Sequence, residues 1–177
     1  MNTRRWMPLL MLLASVTAKA EPVTTVPRVD LARYLGTWYE IAHLPMFFQH
    51  HCIGDTTAQY GLREDGRITV LNRCRTDNGW QEATGRAKVV PDTVNARLKV
   101  TFFWPFSGNY WVIGLDPEYR WALVGNPSRK YLWLLSRTPQ LSPDLFEEAQ
   151  KAAIAQGYEL SGLLMTPHLN GSSLRHR

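Results

Sequence analysis

Gly36-Thr37-Trp38-Tyr39-Glu40-Ile41-Ala42, entered from Asp30-Leu31-Ala32-Arg33-Tyr34-Leu35, is the stretch on which the fold turns. It opens the first of about eight short strand segments, at 37–45, 53–62, 67–75, 80–90, 95–103, 109–115, 119–125 and 130–137. Turn residues divide them. Asp65-Gly66, inside Arg63-Glu64-Asp65-Gly66-Arg67, is the clearest hairpin signal between two strand-like runs. Thr76-Asp77-Asn78-Gly79, Pro91-Asp92-Thr93, Phe106-Ser107-Gly108-Asn109, Asp116-Pro117-Glu118 and Gly125-Asn126-Pro127-Ser128 mark the others. Regular spacing with no intervening helix predicts an antiparallel meander, either a sandwich or an up-and-down barrel.

One helix follows the strands. Ser142 is placed to cap it, Pro143 suits the first helical position, and Asp144 complements the positive end of the dipole. Leu145, Ala149, Ala152 and Ala153 form a small-residue stripe at helical spacing, and Gly157 supplies the stop. Such a stripe lets a helix lie close against the outside of a sheet.

Three signatures in order resemble the lipocalins. Gly36-Thr37-Trp38 supplies the Gly-x-Trp of the first strand, and Asp116 with Tyr119 resembles the acidic-aromatic turn between the sixth and seventh strands. Arg137, ending Leu132-Trp133-Leu134-Leu135-Ser136-Arg137, is similar to the arginine that stacks on the tryptophan in that family. The resemblance covers roughly residues 30–166 and is closest to the bacterial outer-membrane lipocalins and the apolipoprotein D branch. It implies an all-β fold: an eight-stranded antiparallel up-and-down β-barrel with one C-terminal α-helix packed outside. Gly36, Trp38, Asp116, Tyr119 and Arg137 would build its floor.

An eight-stranded barrel holds side chains or one small ligand. Strand alternation sets which residues face inward. If Arg137 points in, so do Leu135, Trp133 and Tyr131; if Trp38 does, so do Glu40, Ala42 and Leu44. Resemblance to the apolipoprotein D branch implies that Tyr60, Asn72 and Trp133 line the ligand cavity. Period two adds Val70, Val100, Phe102, Tyr110 and Val112. An apolar pocket with a few fixed polar groups suits a lipophilic molecule with one polar end. The competing reading is a solid aromatic core. Glu40 counts against a wholly dry interior, since an unpaired buried carboxylate is costly, and Arg137 or a neighbour at the base is its expected partner. Met46-Phe47-Phe48 and Phe103-Trp104-Pro105-Phe106 fall at the mouth, as a gate or a rim for transient membrane contact.

Composition narrows the partners. The chain has 177 residues, 45% apolar, 11% aromatic and 20% charged, which suits one globular domain. Asn2-Thr3-Arg4-Arg5, the apolar run Trp6 to Val16 and Ala18-Lys19-Ala20 read as a cleaved export signal over 1–20. Residues 21–29 read as an extension, 30–167 as the barrel domain, and 168–177 as a polar tail. Losing Arg4, Arg5 and Lys19 from 20 basic residues leaves 17 against 15 acidic, so the net charge falls from +5 to +2. Little remains to attract nucleic acid. The product is expected to be periplasmic or secreted, a monomer or homodimer. It is not expected to be lipid-anchored, because no cysteine stands at the cleavage point.

Cys52 and Cys74, the only cysteines, are expected to form a disulfide in an oxidising compartment. Ideal pairing about Asp65-Gly66 leaves them a few residues out of register, so a bulge or fold-back is required. The family resemblance leaves the pairing open. His43, His50 and His51 give no convergent metal-ligand spacing, and no cofactor is expected. Gly-x-Ser-x-Gly, His-Glu-x-x-His and phosphate-cradling glycine loops are all absent, so no enzyme is expected. The expected function is non-covalent binding, with transport or storage, of a lipophilic ligand. The resemblance implies a fatty acid or lysophospholipid. A filled-core interaction barrel and, less favoured, a lipid-modifying enzyme are the alternatives.

Overall fold

A computed structural model describes residues 21–169. The export signal at 1–20 and all of the polar tail beyond Leu169 lie outside the described residues. Nine strands and two helices follow in order: α1 (Leu31–Tyr34), β1 (Gly36–His43), β2 (Gly54–Leu62), β3 (Ile68–Thr76), β4 (Gly79–Val89), β5 (Arg97–Phe103), β6 (Phe106–Leu115), β7 (Trp121–Gly125), β8 (Leu132–Ser136), α2 (Pro143–Ala155) and β9 (Leu164–Met165). Each strand from β1 to β8 pairs antiparallel with the next, and β1 pairs with both β2 and β8. The sheet is therefore a closed eight-stranded barrel. Asp65-Gly66 turns the β2–β3 hairpin, with the Gly66 N–H donating to Arg63 O at 3.0 Å.

The floor assembles from the residues singled out above. Gly36 has φ +92°, and a Cβ there would sit 3.6 Å from a nitrogen of the Arg137 guanidinium. That guanidinium lies 3.8 Å from the Trp38 ring centroid and donates to Thr37 O at 3.0 Å and to Arg33 O. Trp38 is fully buried, its indole N–H donating to Tyr34 O at 2.8 Å. In the β6–β7 turn the buried Asp116 carboxylate accepts from the backbone N–H groups of Glu118 and Arg120 and from two Arg120 side-chain nitrogens. The Arg120 hydrogen bonds hold its carboxyl below the usual range. Tyr119 reaches back, its hydroxyl accepting from the Asp30 N–H at 2.9 Å while Arg33 stacks on its ring.

Two apolar clusters share the strands. One fills the lower barrel, from Trp38, Tyr34 and Tyr60 to Val112, Val124 and Leu135. The other lies between the barrel's outer face and α2: Ile41, Ile113, Trp121, Leu123, Leu132 and Leu134 meet Ala149 and Ala153. Two strand irregularities serve this division, between Glu40 and Ala42 in β1 and between Val112 and Gly114 in β6. The first corrects the inward assignment of Ala42 and Leu44. The extra residue at Ile41 reverses the alternation, so both belong to the helix-side cluster.

The Ser142 side chain makes no capping hydrogen bond, contrary to expectation. Pro143 removes one orphan N–H from the first turn, and Asp144 already brings negative charge to that end. The stop behaves as read: Gly157, at φ +79°, closes α2 with its N–H on Ile154 O while Tyr158 N–H reaches Ala153 O. Val23 and Val29, in the stretch read as an extension, are buried in the helix-side and barrel clusters respectively.

The sequence reading did not anticipate how the upper barrel closes. β1 and β2 pair only from Gly36–Tyr39 to Thr57–Tyr60, then part. The C-terminal segment enters the gap: β9 pairs with Ala42 and His43, Thr166 N–H donates to Ile41 O, and Pro167 O accepts from Asp55 N–H. Cys52 and Cys74 are joined in a disulfide. The required fold-back is the β1–β2 loop together with an irregularity between Gly54 and Thr57.

Replacing Trp38 by Ala is expected to cost about 3–5 kcal/mol as a large core truncation. Urea unfolding checks it; a loss under about 1 kcal/mol would show that the floor does not depend on this ring.

Candidate functional site

The barrel interior changes character along its axis. At the floor, Trp38, Ile68, Ala87, Leu98, Val112 and Val124 are sealed from solvent. One or two residues further up the same inward faces, Ala58, Asn72, Val100, Tyr110 and Trp133 are only half-buried, and Phe102 is 36% exposed. In a closed barrel, inward side chains that keep contact with solvent define a cup. The lower rows are sealed, and the inward side chains above them are partly exposed.

Three tyrosines form the base of the cup. The Tyr34 and Tyr110 hydroxyls are 2.7 Å apart, and Tyr110 donates to Tyr60 at 2.9 Å. With the Tyr110 proton committed to Tyr60, Tyr34 must donate to Tyr110. The Tyr60 proton is then not used within this triad. Tyr60 and Tyr110 were read from the sequence as inward-facing. Tyr34 was not, because it sits in the short helix α1 and reaches the interior only through tertiary packing.

The upper wall is aromatic. Trp133 stacks near Tyr131 and Phe48, at centroid distances of 6.1 and 6.4 Å, and Phe48 also meets Tyr131 at 5.5 Å. Phe102 lies across Gly85, where an added Cβ would come within 2.8 Å of its ring. Asn72 shares the inward face of β3 with Ile68 and Val70. Tyr60, Asn72, Trp133, Tyr131, Tyr110 and Phe102 are thus distributed around one interior.

Glu40 does not meet Arg137. Its carboxylate, 4% exposed, accepts from Gln49 Nε2 at 2.8 and 2.7 Å and from Thr166 Oγ1 at 2.6 Å. Gln49 in turn accepts from the Trp133 indole N–H at 3.2 Å. A lone glutamine in the mouth loop thereby links the first strand to the eighth, a contact carried by no local pattern. Among the described residues, the one grouping of metal-donor side chains is His51 with Cys52 and Cys74, and both sulfurs are bonded to each other.

Burial pushes the Tyr60 phenol up to about 12 and holds Tyr34 and Tyr110 well above the usual value near 10. Their folded values lie above the unfolded one. The stability they contribute is therefore complete below about pH 10 and is lost as pH rises toward 12. The urea midpoint should hold steady up to pH 9.5 and fall steeply above 10, tracking late tyrosinate absorbance. A midpoint unchanged at pH 11.5 would contradict the sealed phenol cluster.

The lipocalin-like domain model matches residues 29–168. The outer membrane lipoprotein Blc of Escherichia coli (strain K12) is 46% identical over 141 residues, covering 78% of this chain and 79% of that protein. Apolipoprotein D of Bos taurus is 32% identical over 151 residues, covering 80% and 78%. Among solved structures, insecticyanin from the tobacco hornworm Manduca sexta superposes with a TM-score of 0.71 at 20% identity, over 86% of this chain and 88% of that one, a likeness of fold. A closed barrel on a Trp38–Arg137 floor, an outer helix and a family match over most of its length make this chain a member of the lipocalin family, whose proteins bind small hydrophobic molecules.

Proposed function

We propose that this protein binds and carries or stores a lipophilic molecule with a long acyl chain, a fatty acid or a lysophospholipid, without acting on it chemically. The carrying observation is the gradient of burial inside the barrel: a sealed floor beneath inward-facing, mainly apolar side chains that keep contact with solvent. In this reading Tyr110, Phe102, Tyr131 and Trp133 receive the chain, and Tyr60 and Asn72 offer polar contacts. Affinity would come from apolar burial, about 0.8 kcal/mol per methylene, roughly fourfold in Kd.

The mouth supports a place for ligand exchange. β1 and β5 run in the same direction, so the loop bearing Phe47 and Phe48 and the hairpin tip Phe103-Trp104-Pro105-Phe106 share one end. Trp104 is 89% exposed, and Phe47, Phe103 and Phe106 are each more than three-quarters exposed. Aromatic residues at an open rim suit transient contact with a lipid surface, from which such a ligand would enter. Export by residues 1–20 would place the protein in the periplasm or outside the cell. The relatives named above include an outer membrane lipoprotein. Here the sequence's two cysteines are joined to each other, and neither offers a thiol for acylation.

Protein purified from cells should carry lipid in native mass spectrometry, and after delipidation its tryptophan fluorescence should respond to added fatty acid or lysophospholipid. Affinity should rise about fourfold per methylene until the cup is full, and Trp133→Ala should weaken binding by about tenfold or more. A folded protein that neither carries lipid nor responds would end the carrier reading. Unchanged binding by Trp133→Ala would end this assignment of the wall.

A further inference from the structure

A half-open pocket of about 230 Å³ with a mixed polar and apolar lining lies where β1 and β2 part, between the mouth loop and the C-terminal segment. Glu40, His43, Gln49, Thr56 and Thr166 give it polar atoms, and Cys52 with Pro167 helps enclose it. Two features of it are unexplained by the fold alone. The Glu40 carboxylate is buried with no lysine or arginine beside it among the described residues: its hydrogen bonds come from the neutral amide of Gln49 and the hydroxyl of Thr166. The His43 ring is turned away to its own backbone, with Nδ1 2.8 Å from Leu44 O, and its Nε2 stays 3.8 Å from the carboxylate, beyond hydrogen-bond distance. The second feature is the Thr56 hydroxyl, buried in the same cavity with no hydrogen-bond partner. Buried charges are ordinarily paired, and buried hydroxyls ordinarily bonded.

Both deficits are met by one kind of group. We propose that this cavity receives the primary ammonium of a cationic amphiphile whose chain occupies the barrel, an inference that rests on the carrier reading above. An ammonium has three donors and no acceptor. Two suit the Glu40 oxygens and one suits Thr56 Oγ1. The Gln49 amide, with its nitrogen within 2.8 Å of both carboxylate oxygens, occupies the place such a group would take. The cavity also adjoins the ligand wall, because Gln49 is the side chain shared by Glu40 and Trp133. Apart from Arg137 at the floor, Glu40 is the one charged side chain among the described inward-facing strand positions. A carboxylate head at this place would meet repulsion; an ammonium would gain a charge-assisted hydrogen bond.

Tetradecylamine, tetradecanol and tetradecanoate, titrated at pH 7.5 into the delipidated full-length protein below their aggregation limits, separate head-group from chain effects. The amine should bind at least tenfold more tightly than the carboxylate. Glu40→Gln should lower its affinity about tenfold while leaving the alcohol unchanged. Thr56→Val, which removes a hydroxyl that bonds nothing in the empty cavity, should lower the amine's affinity severalfold and covers the case in which Glu40→Gln fails to fold. Equal affinity for amine and carboxylate, or variants that weaken amine and alcohol alike, would overturn the ammonium site and leave the carrier reading standing. Failure of all three amphiphiles to bind would bring down both.

Discussion

Everything in this barrel hangs on closing its narrow end around one tryptophan. The Arg137 guanidinium covers the π face of Trp38 at 3.8 Å while bonding two backbone carbonyls, and the indole N–H spends itself on a third. This contact joins the eighth strand, the first strand and the short helix before it. With the floor shut, the rows above it can be packed; without it, a cylinder of eight strands would admit water from both ends. The plug also sets the level at which the interior ceases to be core and becomes cavity.

Above the floor, the first strand performs three tasks, and its irregularity at Ile41 is what permits them. Below the bulge Trp38 and Glu40 face inward; above it Ala42 faces the helix. The same strand pairs with β2 for four residues and then yields that edge to the C-terminal segment. Parting two strands in an otherwise continuous barrel makes room for a half-open pocket that brings polar side chains into the wall. The disulfide, the mouth loop and the Gln49 bridge between Glu40 and Trp133 are concentrated there, so this part of the rim is held by covalent and polar links more than by apolar packing.

Much of the architecture was legible because its signals are local. Asp65-Gly66 makes a hairpin in almost any setting, Gly157 ends a helix by its own backbone freedom, and Trp38, Asp116 and Arg137 stand in a recognisable order. Period two placed Val70, Val112 and Leu135 inside, and the family resemblance placed Tyr60 there. The same rule misplaced Ala42 and Leu44, since a bulge adds one residue to a strand and leaves no mark in composition. Tyr34, Gln49 and Thr166 escaped notice for a related reason. Tyr34 meets Tyr110, Gln49 meets Trp133 and Thr166 meets Glu40 across separations of 76, 84 and 126 residues, and a lone polar residue in a loop or short helix carries no periodicity.

The amino-acid sequence alone determined the eight strands and the outer helix, because turn chemistry and alternation act within a handful of residues, and its three ordered signatures pointed by resemblance to the family and the floor. Only the tertiary structure decided how far the interior is filled, which partner Glu40 takes, and how the C-terminal segment completes the wall between β1 and β2. Those outcomes depend on the barrel's closure and on one-residue shifts of register. Both are properties of strands meeting in space, and no single stretch of chain contains them.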